Sequence, residues 1–210
     1  MATEIASIAA VAAVATDDVI GRAAAALRAN NIEVLIADTA AEARAAVLER
    51  VPTGSEVHVG KSRTLEDIGV LDDLNGSGSY DAIRPRLLAM DRATQGREMR
   101  KLGAAPDTIV GSVNAITFDG ALVVASATGN QLGGYVAGAG RVILVVGGQK
   151  FVPDLDAAFA RIRDVVFPYE NARVNATMGV DTKLEKILVI FGEWLAGRTT
   201  VIVVREPVGI

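Results

Sequence analysis

Apolar residues fall along this chain in two alternating textures. Short β-branched runs occupy residues 32–36, 57–59, 109–110, 142–146, 187–191 and 201–204, broken by a polar residue only at Glu33 and His58. A strand covered on both faces in a parallel sheet reads as such a run, because neither of its faces meets water. Helical patterns lie between the runs. The clearest is Leu155, Ala158, Phe159, Ile162, Val165 and Val166, whose spacing makes a single apolar face; Pro153 and Asp154 open it, with Asp154 as N-cap. Thr16-Asp17-Asp18 caps an Ala-rich helix running to about Asn30, and residues 39–49 give another. This alternation predicts an α/β fold, an open doubly wound and mainly parallel sheet with helices on both faces.

One pair of runs breaks the parallel rule. Ala115-Ile-Thr-Phe118 is followed by Asp119-Gly120 and then Ala121-Leu-Val-Val124. Asp-Gly between β-prone runs predicts an antiparallel hairpin on a two-residue type I′ turn, which needs positive φ at both central residues. Residues 75–106 differ in character: a Gly/Ser loop is followed by a stretch rich in Arg, Met and Gln. They predict a helical elaboration over one sheet edge, or a lid, within a single domain spanning residues 1–210.

Composition narrows the chemistry. The chain has no cysteine, which excludes disulfides, a thiol nucleophile, thiolate zinc and an iron–sulfur cluster, so no cofactor is expected in this chain. One histidine, His58, is too few for an imidazole metal site. Lys+Arg of 21 against Asp+Glu of 25 leaves a net charge of -4 and no basic stripe, so no nucleic-acid partner is expected. The apolar run at residues 8–15 is too short to span a bilayer, and Glu4 with no basic residue near it does not suit a secretory leader. A cytoplasmic protein without a membrane partner is the expectation.

Three stretches offer chemistry. In Gly60-Lys61-Ser62-Arg63-Thr64 a strand ends and a helix begins near Thr64, so free N–H groups, two cations and two hydroxyls could hold an anion. The plainer reading of Thr64-x-x-Asp67 is a capping box. Small residues and amides crowd both ends of the hairpin, in Gly111-Ser112-Val113-Asn114 through Thr117 and in Ser126-Ala-Thr-Gly129-Asn130-Gln131. Glycines let a ligand approach the backbone, and amides orient polar groups without committing a charge. Lys150 closes Gly147-Gly-Gln149 at a strand's C-terminal end, where open α/β sheets place ligands, or is a solvated turn lysine. Glu66 and Asp119 are the candidate acid/base carboxylates, and His58 is either a general base or a structural strand histidine. A phosphate- or carboxylate-bearing small molecule is the expected partner.

The segments Gly60-Lys-Ser-Arg-Thr-Leu-Glu-Asp-Ile-Gly69, Gly111-Ser-Val-Asn-Ala-Ile-Thr-Phe-Asp-Gly120, Gly147-Gly-Gln-Lys-Phe-Val-Pro-Asp154 and Gly197-Arg-Thr-Thr through Arg205-Glu-Pro-Val-Gly209 together resemble the LUD-domain family, which includes lactate-utilisation proteins of the LutC type. The resemblance implies a fold similar to the ribose-phosphate isomerase, glucosamine-phosphate deaminase and CoA-transferase superfamily. It further implies a role in oxidising L-lactate to pyruvate beside partner proteins that carry iron–sulfur centres. Two alternatives stand beside ligand binding: a non-catalytic subunit docking those partners through residues 84–101, and an enzyme of sugar phosphates or acyl-CoA. The hairpin also resembles a segment of methylthioribose-phosphate isomerase where a carboxylate works on the sugar. This chain has Asn114 there, and an amide cannot take up a proton at neutral pH.

Overall fold

The computed structural model describes residues 13–210, so most of the apolar run at residues 8–15 lies outside the described residues. Ten strands follow in chain order: β1 (Glu33–Ala37), β2 (Glu56–Val59), β3 (Asp81–Ala82), β4 (Thr108–Gly111), β5 (Ala115–Thr117), β6 (Leu122–Ser126), β7 (Arg141–Gly147), β8 (Phe151–Val152), β9 (Lys186–Ile190) and β10 (Thr199–Val204). The first sheet has the order β1-β10-β7-β4-β2-β3, and every neighbouring pair in it is parallel.

Why these runs are nearly unbroken is visible in β7. Val142, Leu144 and Val146 pack in one core and Ile143 and Val145 in another, so alternate residues serve opposite faces and all are dry. The first face is covered by α1 (Asp17–Ala29), through Ile20, Ala23, Ala24 and Leu27, together with residues of the second sheet. The opposite face is covered by α2 (Ala40–Arg50), α3 (Arg63–Asp67) and α4 (Leu71–Gly76), through Ala43, Val47, Leu65 and Leu74. Burying each large aliphatic side chain contributes roughly 1.5–3 kcal/mol. The helix starts follow local chemistry: the side chains of Thr16, Thr39 and Asp154 each accept from the backbone N–H three residues on.

Residues 75–106 hold the end of α4, the edge strand β3 and the helices α5 (Ile83–Ala89) and α6 (Gly96–Ala104). His58 on β2 is buried and bonds Gly103 O through Nδ1 at 2.9 Å, which ties α6 to the sheet. Burial holds its imidazole below the usual pKa, so the ring is neutral and acts as a structural donor. No helix among the described residues is long and apolar enough to cross a membrane.

The structure revises the expected sheet. The hairpin does not join the parallel sheet but belongs to a second one, ordered β8-β5-β6-β9. There β5–β6 and β6–β9 are antiparallel and β5–β8 is parallel. Residues 187–191, expected in the parallel sheet, largely form β9 of this second sheet, where one face stays partly open. The turn also differs. Ala115 pairs with Val123 and Ile116 with Leu122, so Phe118, Asp119 and Gly120 form a three-residue loop. Gly120 N donates to Thr117 O, and within the loop only Gly120 has positive φ, at 89°. That is a type I turn followed by a left-handed glycine, which Asp-Gly suits as well as it suits type I′.

The last helical region departs from its ideal spacing too. Between α7 (Leu155–Arg161) and α8 (Phe167–Met178) lies a π-helical segment, Ile162–Val166. Its wider turn changes the register between the faces of α7 and α8. Phe159, expected on the apolar stripe, is 39% exposed, while Ala158, Arg161 and Ile162 are buried.

Candidate functional site

A cleft of about 420 Å³ opens at the C-terminal ends of β2, β4 and β7, beside the start of β5 and the end of β6. This is where an open parallel sheet leaves strand-end loops and backbone free to meet a ligand. Lys150 forms its floor. A single 3₁₀ turn, Gly148–Lys150, carries the main chain from β7 into β8, so the lysine stands where one sheet hands over to the other. The side chain is nearly sealed, with 2% of the residue exposed. Its Nζ donates to Thr64 Oγ1 at 2.7 Å, Ser112 Oγ at 3.1 Å and Val113 O at 3.2 Å. All three acceptors are neutral. Burial, joined by the positive charge of Arg161, brings the amine down from 10.5 to about 7, against a smaller opposing pull from Asp67.

The ends of the hairpin supply the polar side wall. Asn114 extends the β5–β6 ladder: its backbone N donates to Val123 O at 2.8 Å and its Oδ1 accepts from Ala125 N at 2.6 Å. The amide oxygen is thus committed, and the group left to face the cleft is a donor. Ser126 Oγ accepts from Gly129 N at 2.9 Å and donates to Gln131 Oε1 at 3.2 Å, which shapes the turn after β6. Tyr135 is buried behind Gly111, and burial pushes its phenol above the ordinary value. A Cβ on residue 111 would stand 1.7 Å from Tyr135 Oη, so only glycine fits there. The opposite wall comes from Phe167, Tyr169, Glu170 and Arg173 of α8 and from residues 182–184. Glu170 and Arg173 are paired with each other, with Arg173 Nε at 2.7 Å from Glu170 Oε2.

The LUD-domain family model matches residues 20–204. This chain belongs to the LUD-domain family. Its architecture is similar to the crystal structure of a DUF162 family protein from Deinococcus radiodurans, with a TM-score of 0.53 and 13% sequence identity over 91% of this chain and 99% of that one. At that identity the likeness shows the fold: an α/β LUD domain built on a mainly parallel six-stranded sheet. A comparison with curated proteins finds no significant match.

The cleft of this LUD domain gathers Lys61, Ser62, Arg63, Thr64, Asn114, Asn130, Gln131 and Lys150, which the sequence singles out in three separate stretches. It does not gather the rest. Thr117 and Asp119 sit at the turn end of the hairpin, away from the Asn114 end, where the Thr117 hydroxyl donates to Asp119 and accepts from Ala121 N. Gly129 lies within the turn after β6 without lining the cleft. Glu66 faces a separate recess of about 60 Å³ with Asn75 and Arg84. The carboxylate that does line the cleft is Glu170.

The capping box expected at Thr64-x-x-Asp67 is absent. The N-cap is Ser62, which makes no side-chain cap bond. Thr64 instead turns inward to Lys150 and Ser112, while Asp67 accepts from Arg63 Nε at 2.6 Å and Gly209 N at 2.9 Å. Arg63 is therefore offset by its own helix, and five residues make too short a helix for a useful dipole. Sequence reasoning missed Tyr135, Glu170 and Arg173 of the cleft lining and, outside that lining, the buried Arg161. The last left a signal, because residues 158, 161, 162 and 165 share one helical stripe, so Arg161 interrupts an otherwise apolar face.

Proposed function

We propose that this LUD domain serves L-lactate utilisation by binding a small phosphate- or carboxylate-bearing ligand in the strand-end cleft. The observation that carries the reading is Lys150, a sealed amine at the cleft floor bonded only to neutral oxygens, whose protonated form has no counter-charge bonded to it. A cation in that setting gains more from an anion than the same cation in water does. Lys61 adds positive charge along the wall, and Asn114 orients a carbonyl or hydroxyl of the ligand by donation. At about 420 Å³ the cleft falls in the range used for ligands of drug size, which favours a molecule larger than a three-carbon acid.

The test is thermal stability of the full chain against sugar phosphates, CoA thioesters, nucleotides, lactate and pyruvate. A ligand at a hundred times its Kd stabilises the fold by about 2.7 kcal/mol, a rise of roughly 5–10 °C for a chain of this size. The effect should vanish in Lys150→Met, and the reading fails if no compound shifts the wild type.

A second reading, a subunit that docks iron–sulfur partner proteins, is favoured by a different observation. Phe191, Trp194 and Leu195 expose apolar surface just after β9, with Trp194 93% exposed. Retention of such partners on pull-down from native lysate, lost in Trp194→Ser, would support it.

A further inference from the structure

The helix α8 turns an apolar stripe to the cleft instead of to the core. Val166, Glu170, Val174 and Met178 recur every four residues and, with Phe167 and Arg173 beside them, make one face that lines the cleft. A helix on the surface of a domain ordinarily buries such a face against the interior. Here no residue of α8 is fully buried. Val166, Phe167, Val174, Met178 and Leu184 all line the cleft, and none of them packs in any of the three apolar clusters formed by the described residues. Met178 is 70% exposed.

The wall is nonetheless held in place. Along a second face of α8, Asn171 and Asn175 donate to Asp181 Oδ1 at 3.3 and 3.2 Å, and Asn171 Oδ1 accepts from Thr182 N at 2.8 Å. These bonds tie the loop that carries Leu184 to the helix. The two charges on the stripe, Glu170 and Arg173, are paired with each other. The floor has the opposite character, with the Lys150 amine set among the Thr64 and Ser112 hydroxyls. The space enclosed, about 420 Å³, equals a single turn of a helix about 10 Å across, so it fits a small molecule and not a partner's helix.

We infer that the ligand of this cleft is an amphiphile, an oxyanion on an apolar body, with its head at the Lys150 floor and its body laid along Val166, Phe167, Val174 and Met178. The inference rests on reading the cleft as a ligand site, and it names the class of molecule the site takes. The body displaces water from apolar side chains that no core covers, and this separates the ligand from small acids such as lactate. A sugar phosphate would instead press hydroxyls against that wall and leave them unpaired.

The test titrates the full chain by calorimetry with straight-chain carboxylates from acetate to octanoate and with alkyl phosphates of the same lengths. It is run below pH 7, where the Lys150 amine carries its proton. Whichever series binds tighter identifies the head. A fully buried methylene tightens binding by up to about fourfold, so the step from four carbons to eight should tighten it by roughly tenfold or more. Phe167→Ser and Val174→Ser, on a helix with no fully buried residue, should fold as wild type does and flatten that dependence. Trp194→Ser, which removes an exposed apolar side chain outside the cleft, should leave it unchanged. Lys150→Met should weaken every member alike and keep the dependence on length. Affinity that does not grow with length overturns the inference; if Lys150→Met still abolishes that binding, the cleft reading stands. Growth with length that survives in both wall variants, or is lost in Trp194→Ser, places the chain on another surface and also overturns it. Growth lost in the wall variants, with affinity unmoved by Lys150→Met, supports the apolar wall and overturns the seat of the head at Lys150. A wild type that binds no member of either series overturns both readings.

Discussion

Lys150→Met should change the stability of this LUD domain in opposite directions at low and high pH. In the unfolded chain the amine titrates near 10.5 and in the native state near 7. At about 1.4 kcal/mol for each pH unit, the folded structure disfavours the charged amine by roughly 5 kcal/mol. The pKa is lowered in the fold, so below pH 7 the amine is charged in both states and the native state carries the whole cost. From 7 to 10.5 the unfolded chain binds the extra proton, so stability rises with pH across that window, and above it the cost is gone. Methionine removes the cost and also the three hydrogen bonds. Thr64 and Ser112 still bond each other at 3.1 Å, so the main acceptor left short is Val113 O, at roughly 1–3 kcal/mol. The variant should therefore be more stable than wild type by about 2–4 kcal/mol near pH 6.5, and less stable by about 1–3 kcal/mol above pH 10.5. Urea unfolding followed by far-ultraviolet circular dichroism across this range is the assay, since the exposed Trp194 is a poor fluorescence reporter. Two stability curves separated by a constant offset would refute the reasoning, for they would mean that Lys150 titrates alike in both states.

Other substitutions test the walls and the frame. Gly111→Ala places a methyl 1.7 Å from Tyr135 Oη and should cost about 3 kcal/mol in urea unfolding; adding Tyr135→Phe should restore part of it, and strict additivity would rule out the contact. Asn114→Ala removes the acceptor for Ala125 N and should cost about 1–3 kcal/mol in stability while weakening any cleft ligand, both readable by calorimetry. His58 has a lowered native pKa, so its stabilising neutral form is intact above pH 6.5 and stability falls as pH drops below that value towards the native pKa. His58→Gln should flatten acid unfolding over that interval, as followed by circular dichroism. Glu66→Gln and Asp119→Asn should leave ligand affinity within about twofold, because neither residue lines the cleft.

The strands of the parallel sheet were legible because burial on both faces writes itself into residues such as Val142–Val146 as an unbroken run. The caps were legible for a local reason: Thr16, Thr39 and Asp154 act within three residues of themselves. Which sheet a strand joins is not local, and nothing in residues 187–191 distinguishes an outer strand of a second sheet from a core strand of the first. Lys150 and Thr64 were visible as residue types at strand ends, but their mutual bond spans 86 positions, and a threonine that turns inward reads the same as one that caps. The Arg161 signal was present and was masked by Phe159. An ideal helical period places Phe159 on the buried stripe, whereas the structure buries Arg161 and leaves Phe159 39% exposed.

The cleft is built from two kinds of material. Its floor grows from strand ends and from the single turn that joins the sheets, so Lys150 is placed by the main chain of both and has little latitude to drift. Its outer wall is one helix, α8, with the loop that follows, and no residue of that helix is fully buried. Substitutions at Phe167, Tyr169, Val174 or Met178 therefore change the shape offered to the body of a ligand without disturbing the core. On the ligand reading proposed above, a lineage carrying this fold could exchange one metabolite for another in a few mutational steps at this wall, while the charged end stays at Lys150.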